Sequence, residues 1–204
     1  NKQGYLEGAS MATAFNMLRA NSLIWSFFVN NYLLGRDTAP FDLLYWNSDA
    51  TRMPAAMHSF YLRNMYLNNR LREPGGITLA GTPIDLRKVK APAYFASAIE
   101  DHIAPWISCY KGARNLGGPL RFVLGGSGHI AGIINPPEKK KYGYRLNEDN
   151  PANPEEWLKG AEQFEGSWWP DWVAWAEQFG GGEVKARIPG EGNLPVIEPA
   201  PGAY

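Results

Sequence analysis

The sequence predicts an α/β protein, and three observations predict it. Two short apolar runs, "AYFASA" (93–98) and "RFVL" (121–124), flank one helical stretch with short connections. That succession reads as a parallel βαβ unit. Upstream, apolar residues recur at intervals of three and four, the period of an amphipathic helix. At Pro74-Gly75-Gly76 the style changes from helical to strand-and-turn.

The elements follow in order. "SMATAFNMLRAN" (10–21) carries Met11, Ala14, Phe15 and Leu18 at helical spacing. "NSLIWSFFVNNYLLG" (21–35) follows, with Ser22 as the expected N-cap and Gly35 as the stop. "PFDLLYWNSDATRMP" (40–54) is a short apolar run between turn formers. "AAMHSFYLRNMYLNNRL" (55–71) is helical, its stripe of Met57, Phe60, Tyr61, Met65 and Leu67 expected in a core. "ITLAGTPIDL" (77–86) reads as a small hairpin turning at Gly81. The crossover helix is "WISCYKGARNLGG" (106–118) with its glycine stop. Residues 154–179 read as helix again, broken at Gly166 and Pro170. From Gly180 onward Gly and Pro dominate, as in an extended or disordered tail.

Composition narrows the function classes. The 204 residues suffice for one domain with a sizeable core. Twenty basic and 20 acidic residues balance to zero, against a nucleic-acid footprint. The longest apolar candidate, 23–34, is interrupted by Ser26, Asn30 and Asn31, short of the roughly 18 residues of a spanning helix. The first residues do not read as a signal peptide. Cys109 is the single cysteine, so no internal disulfide framework exists and a cytoplasmic location is expected. Five of the eight tryptophans fall between positions 157 and 175. Packing in a core or interface is their expected role.

Site residues gather at the C-terminal ends of parallel strands. The first strand runs into "IEDHIAPW" and the second into "GGSGHIAG" (125–132). Histidine is the usual general base near neutral pH, and the glycines around His129 leave a partner room to approach. Asp101 is a better acid than Glu100, because its shorter side chain is more rigidly placed on a turn. His102 adjoins that acid and can face the same pocket; His58, in a helical stripe, is structural. Acid then histidine is the chain order that closes an α/β-hydrolase triad, with the nucleophile earlier in the chain. No G-x-S-x-G or G-x-C-x-G occurs. Ser127 lies too near His129 in the chain, and Cys109 within a helix is expected to be an inert small hydrophobe.

"PFDLLYWNSDATRMP", "EDHIAPW", "RFVLGGSGHIAGIINPP" and "GSWWPDW", in that order, resemble the C-terminal half of class I polyhydroxyalkanoate synthases, and "IEPAPGAY" resembles that family's C-terminal end. The resemblance covers nearly the whole chain. It implies the C-terminal portion of an α/β-hydrolase fold, with a helical cap at 1–73, a core part carrying acid and base at 74–180, and a Pro/Gly-rich tail at 181–204. It implies an acyltransferase that polymerises 3-hydroxyacyl-coenzyme A, short-chain 3-hydroxybutyryl-coenzyme A foremost, through a Cys-His-Asp triad. Asp101 and His129 match the family's acid and base, and Ile130 and Ala131 are expected to wall the acyl pocket. The family's cysteine lies upstream of the cap and has no counterpart here, so this chain reads as a fragment, inactive alone.

The expected partners are the missing upstream piece, a second copy in a homodimer, the growing polyester and its granule. Beyond the coenzyme A thioester substrate no cofactor or metal is expected. The rival readings are an esterase or polyester depolymerase with a serine nucleophile, and a non-catalytic assembly module. The apolar residues at 23–33 are expected to be cap core, with a pocket gate or dimer contact as the alternative.

Overall fold

A computed structural model describes residues 3–18, 20–37 and 50–199. The chain divides into two units, residues 1–90 with 115–117, and residues 91–114 with 118–204. Both helices and strands are present, so the fold is mixed α/β.

The first unit is mainly helical. A two-residue strand β1 (Tyr5–Leu6) pairs antiparallel with β2 (Met53–Pro54). Between them run helix α1 (Gly8–Leu18) and two π-helical segments, Asn21–Trp25 and Phe28–Leu33. Helix α2 (Ala55–Tyr61) continues into a third π-helical segment, Leu62–Leu67. Gly35, with φ +61°, stands just past the second segment as expected. The expected N-cap at Ser22 is not formed: Ala20 already has helical dihedrals, so the chain enters this stretch without a cap. The run at 40–54 falls largely outside the described residues.

The helical periodicity here is real, but its apolar stripe is not a core within this chain. Trp25 is 55% exposed and Tyr32 78%, and Phe27, Phe28, Val29 and Leu33 are exposed with them. Met57, Phe60, Tyr61 and Leu67 are exposed too. The period places apolar groups on a face, but only a second surface can bury them. The hairpin is as expected: β3 (Thr78–Leu79) pairs antiparallel with β4 (Thr82–Pro83), and both turn residues, Ala80 and Gly81, have positive φ.

The second unit is built on a four-stranded sheet of order β5-β6-β7-β8. Strands β5 (Ala93–Ala98) and β6 (Leu120–Gly125) are parallel, joined through helix α3 (Trp106–Ala113). The expected βαβ unit is therefore present, with β5 at the sheet's edge. The helix is shorter than its expected span; it stops at Ala113 with Arg114 as its C-cap, ahead of the glycines. Strands β7 (Tyr144–Leu146) and β8 (Glu162–Phe164) add antiparallel.

Residues 154–179 are not one broken helix. Helix α4 (Pro154–Lys159), strand β8 and helix α5 (Trp169–Glu177) share the stretch. Pro170 opens α5 rather than breaking it, because proline in a first turn loses no hydrogen bond that the helix would make. Residues 181–199 form no regular element and are exposed.

Strand alternation separates the sheet's two faces. Phe122 and Leu124 point to a core with Tyr110, Ala113 and Trp157, against which Phe95 packs. Phe122 and Trp157 meet edge to face at 5.2 Å. Tyr94 and Arg121, register partners one residue away from Phe95 and Phe122, belong to the other face. There Asp171 of α5 accepts from both.

Candidate active site

The parallel register brings the ends of β5 and β6 level, Ala98 beside Gly125. The two loops beyond them are tied by backbone bonds, Ile99 N–H to the Gly125 carbonyl and Glu100 N–H to that of Ser127, both at 2.9 Å. This lacing sets Asp101 opposite His129. One carboxylate oxygen, Oδ1, accepts the backbone N–H groups of Ile103 and Ala104, each at 2.9 Å. The other, Oδ2, lies 2.8 Å from His129 Nδ1.

The two side chains differ in exposure: 6% for Asp101 and 45% for His129. Burial alone would push the Asp101 carboxyl up. The N–H groups of Ala104 and Ile103 and the imidazole outweigh it together, so the carboxyl sits below its ordinary value. An ionised carboxylate can only accept, so it selects the tautomer with the proton on Nδ1. Nε2 is then left with its lone pair, as a base requires.

The glycines serve a different purpose from the one their pattern suggests. A Cβ on Gly126 would lie 2.3 Å from the Tyr142 carbonyl oxygen, and one on Gly132 would lie 2.5 Å from Ala98 Cβ. They let the loop pack tightly against neighbouring backbone. Gly128 alone, whose Cβ would meet nothing nearer than 3.9 Å, matches the open-approach reading. Ser127 sits at φ +67°.

His102 is exposed on the Asp101 loop, Ile130 is exposed and Ala131 half-buried. Glu100 is exposed, and the backbone bonds of the Asp101 loop use its N–H. His58 is half-buried in α2, within the first unit. Cys109 packs against the aromatic core, its Sγ 3.6 Å from the Ala104 carbonyl oxygen, in the manner of a small hydrophobe. Among the described residues no cluster of His, Cys, Asp and Glu could hold a metal ion, and no helix is long and apolar enough to cross a membrane.

Two residues escaped the sequence reading. The indole N–H of Trp168 donates to the Gly132 carbonyl at 3.1 Å, and that of Trp169 to the Ile133 carbonyl at 3.0 Å. Both carbonyls lie just past the histidine. The tryptophan-rich motif was visible, but nothing in it names a backbone acceptor 36 positions upstream.

No family model matches the chain. Curated proteins do. The chain matches poly(3-hydroxyalkanoate) polymerases from end to end. It is 54% identical over 204 residues to the Poly(3-hydroxyalkanoate) polymerase of Methylorubrum extorquens, covering all of this chain and 34% of that protein. It is 55% identical over 201 residues to the polymerase subunit PhaC of Rhizobium meliloti, and 47% over 200 residues to that of Cupriavidus necator. Those matches cover 98% of this chain and 33% and 34% of the relatives. The chain thus spans about a third of the length of the polymerases it matches.

Proposed function

We propose that this chain carries the acid and base of a polyhydroxyalkanoate synthase, an acyltransferase of α/β-hydrolase fold. The observation that carries the reading is the 2.8 Å contact of Asp101 and His129 at neighbouring parallel strand ends, in a chain so similar to polymerases. In this reading residues 1–73 belong to a helical cap, 74–180 to the hydrolase core and 181–204 to a surface tail. The nucleophile is a cysteine in the part of the polymerase length that this chain does not span.

His129 Nε2 takes the cysteine's proton, and the thiolate attacks the carbonyl carbon of a 3-hydroxyacyl-coenzyme A. An acyl–sulfur bond forms on the enzyme, the bond to the coenzyme A sulfur breaks, and the proton returns to that sulfur. His129 then accepts the proton of an incoming 3-hydroxyl as its oxygen attacks the enzyme-bound acyl group. The ester lengthens the polymer and the thiol is restored. Asp101 stabilises the imidazolium in both steps. A thiolate suits this exchange as a strong nucleophile and a good leaving group. Short-chain substrates, self-association and contact with the polymer granule complete the reading, with His102, Ile130 and Ala131 bordering the acyl site.

The test uses the full-length protein that carries this chain, with 3-hydroxybutyryl-coenzyme A and a thiol reagent. His129→Ala is expected to abolish coenzyme A release and His102→Ala only to weaken it. Equal losses from both, with folding verified, would remove His129 from the role of base.

A further inference from the structure

The turn that presents His129 is held at both ends. At its start, Gly126 N–H donates to the Gly143 carbonyl at 2.9 Å and the Ser127 carbonyl accepts from Glu100 N–H. At its end, the Gly132 and Ile133 carbonyls accept from the Trp168 and Trp169 indoles. Gly132 N–H in turn closes the turn onto the Gly128 carbonyl at 2.9 Å. Trp168 therefore holds the carbonyl of the same residue whose N–H closes the hydrogen bond that spans His129.

Helix α5, which begins at Trp169, is itself clamped to the sheet. Arg121 grips the Asp171 carboxylate with two N–H groups, Nε to Oδ2 at 2.9 Å and Nη2 to Oδ1 at 2.5 Å. The Tyr94 hydroxyl donates to the same Oδ2 at 2.8 Å. Burial, and then that carboxylate, push the Tyr94 phenol far above its ordinary range, so it stays a donor. The Tyr94 ring also stacks on Trp168 at 5.9 Å. One residue on each parallel strand thus fixes the helix whose first turn holds the histidine loop.

We infer that Trp168 is a positioning residue for His129, acting through the Gly132 carbonyl and held in place by the Tyr94–Asp171–Arg121 cluster. It touches neither substrate nor the reacting atoms; it sets the angle at which the imidazole meets Asp101. The catalytic consequence rests on the synthase reading above. The geometric consequence does not.

In the full-length protein, Trp168→Phe keeps the ring beside Tyr94 and deletes the donor. The kcat for coenzyme A release from 3-hydroxybutyryl-coenzyme A is expected to fall about 10- to 100-fold, with KM changed by less than about twofold. The NMR resonance of the His129 Nδ1–H proton, which lies in the hydrogen bond to Asp101, is expected to shift toward its position in Asp101→Asn. Trp172→Phe, on an α5 side chain 46% exposed, should leave both readings at wild type. Unchanged kcat and Nδ1–H resonance in Trp168→Phe would overturn the inference, as would an equal response from Trp172→Phe. If the wild-type protein releases no coenzyme A, the synthase reading fails, and the Nδ1–H resonance still decides whether Trp168 positions His129. Should Trp168→Phe not fold, Tyr94→Phe loosens the cluster that holds Trp168 and is expected to move both readings in the same direction, and no movement would overturn the inference.

Discussion

The two units use apolar residues in opposite ways. In the sheet unit, Phe122, Leu124, Tyr110 and Trp157 are fully buried against one another. In the helical unit, Trp25, Phe28, Tyr32 and Leu33 are no less apolar and stay exposed. Phe28 and Tyr32 stack at 5.2 Å, but they do so at the surface. The difference teaches that hydrophobic period reports an element's face and not its partner. The sheet unit closes its own core because strand alternation and the crossover helix bring two apolar faces together within 100 or so residues. Trp25, Phe28, Tyr32 and Leu33 of the helical unit leave much of their surface in solvent.

The sharpest way to break this contrast is to remove one tryptophan from each unit. Trp157→Ala empties a fully buried site and is expected to cost about 3–5 kcal/mol. Trp25→Ala, half in solvent already, should cost under about 1 kcal/mol. Urea midpoints of the two variants check it. A cost at Trp25 equal to that at Trp157 would mean that the helical face is buried in the protein as it folds, and the contrast would collapse.

A smaller effect is expected at the sheet's other face. Asp171→Asn removes the charge that Arg121 and Tyr94 share, with Arg121 only 28% and Asp171 13% exposed at the side chain. The loss should be about 1–3 kcal/mol, read from the same midpoints. It would sharpen the comparison by showing that this unit is held on one face by aromatic packing and on the other by an ion cluster. No loss would leave α5 docked by its aromatic rings alone.

The smallest effect is a pH dependence. The Asp101 carboxyl titrates below its ordinary value in the folded chain, and at about 3.9 when unfolded. Its contribution to stability is therefore present above that unfolded value and is lost as pH falls through the lower folded one. The stability difference between wild type and Asp101→Asn should shrink as pH falls below about 4. A difference that grows below about pH 4 would reverse the direction assigned to the carboxyl.

Much of the site was legible along the chain. Asp101 and His129 each follow a short apolar run, and one helix-length stretch separates the runs. Parallel strands joined that way bring their C-terminal ends side by side, so acid and imidazole could be paired before any coordinates. Strands β7 and β8 were not legible. Each has three residues, and Glu162-Gln163-Phe164 has no apolar alternation to announce it. They exist because β6 offers an edge whose backbone groups need partners. Pro170 misled because proline both breaks helices and begins them, and only its position in the turn decides which.

By itself the sequence determined that an acid and a histidine follow two neighbouring strand ends, where helix and strand periods change, and the parallel pairing of β5 with β6. These depend on local spacing and on one short crossover. Tertiary structure alone decided that the glycines beside His129 serve close packing, that the Gly132 and Ile133 carbonyls accept hydrogen bonds from two indoles, and that Asp171 clamps α5 to Tyr94 and Arg121. Each of these is a contact between groups about 36 to 77 positions apart or a clash with a neighbouring backbone. Such contacts leave no period in the chain. A hydrogen bond to a carbonyl asks nothing of the residue that owns the carbonyl, so the acceptor's sequence carries no trace of its donor.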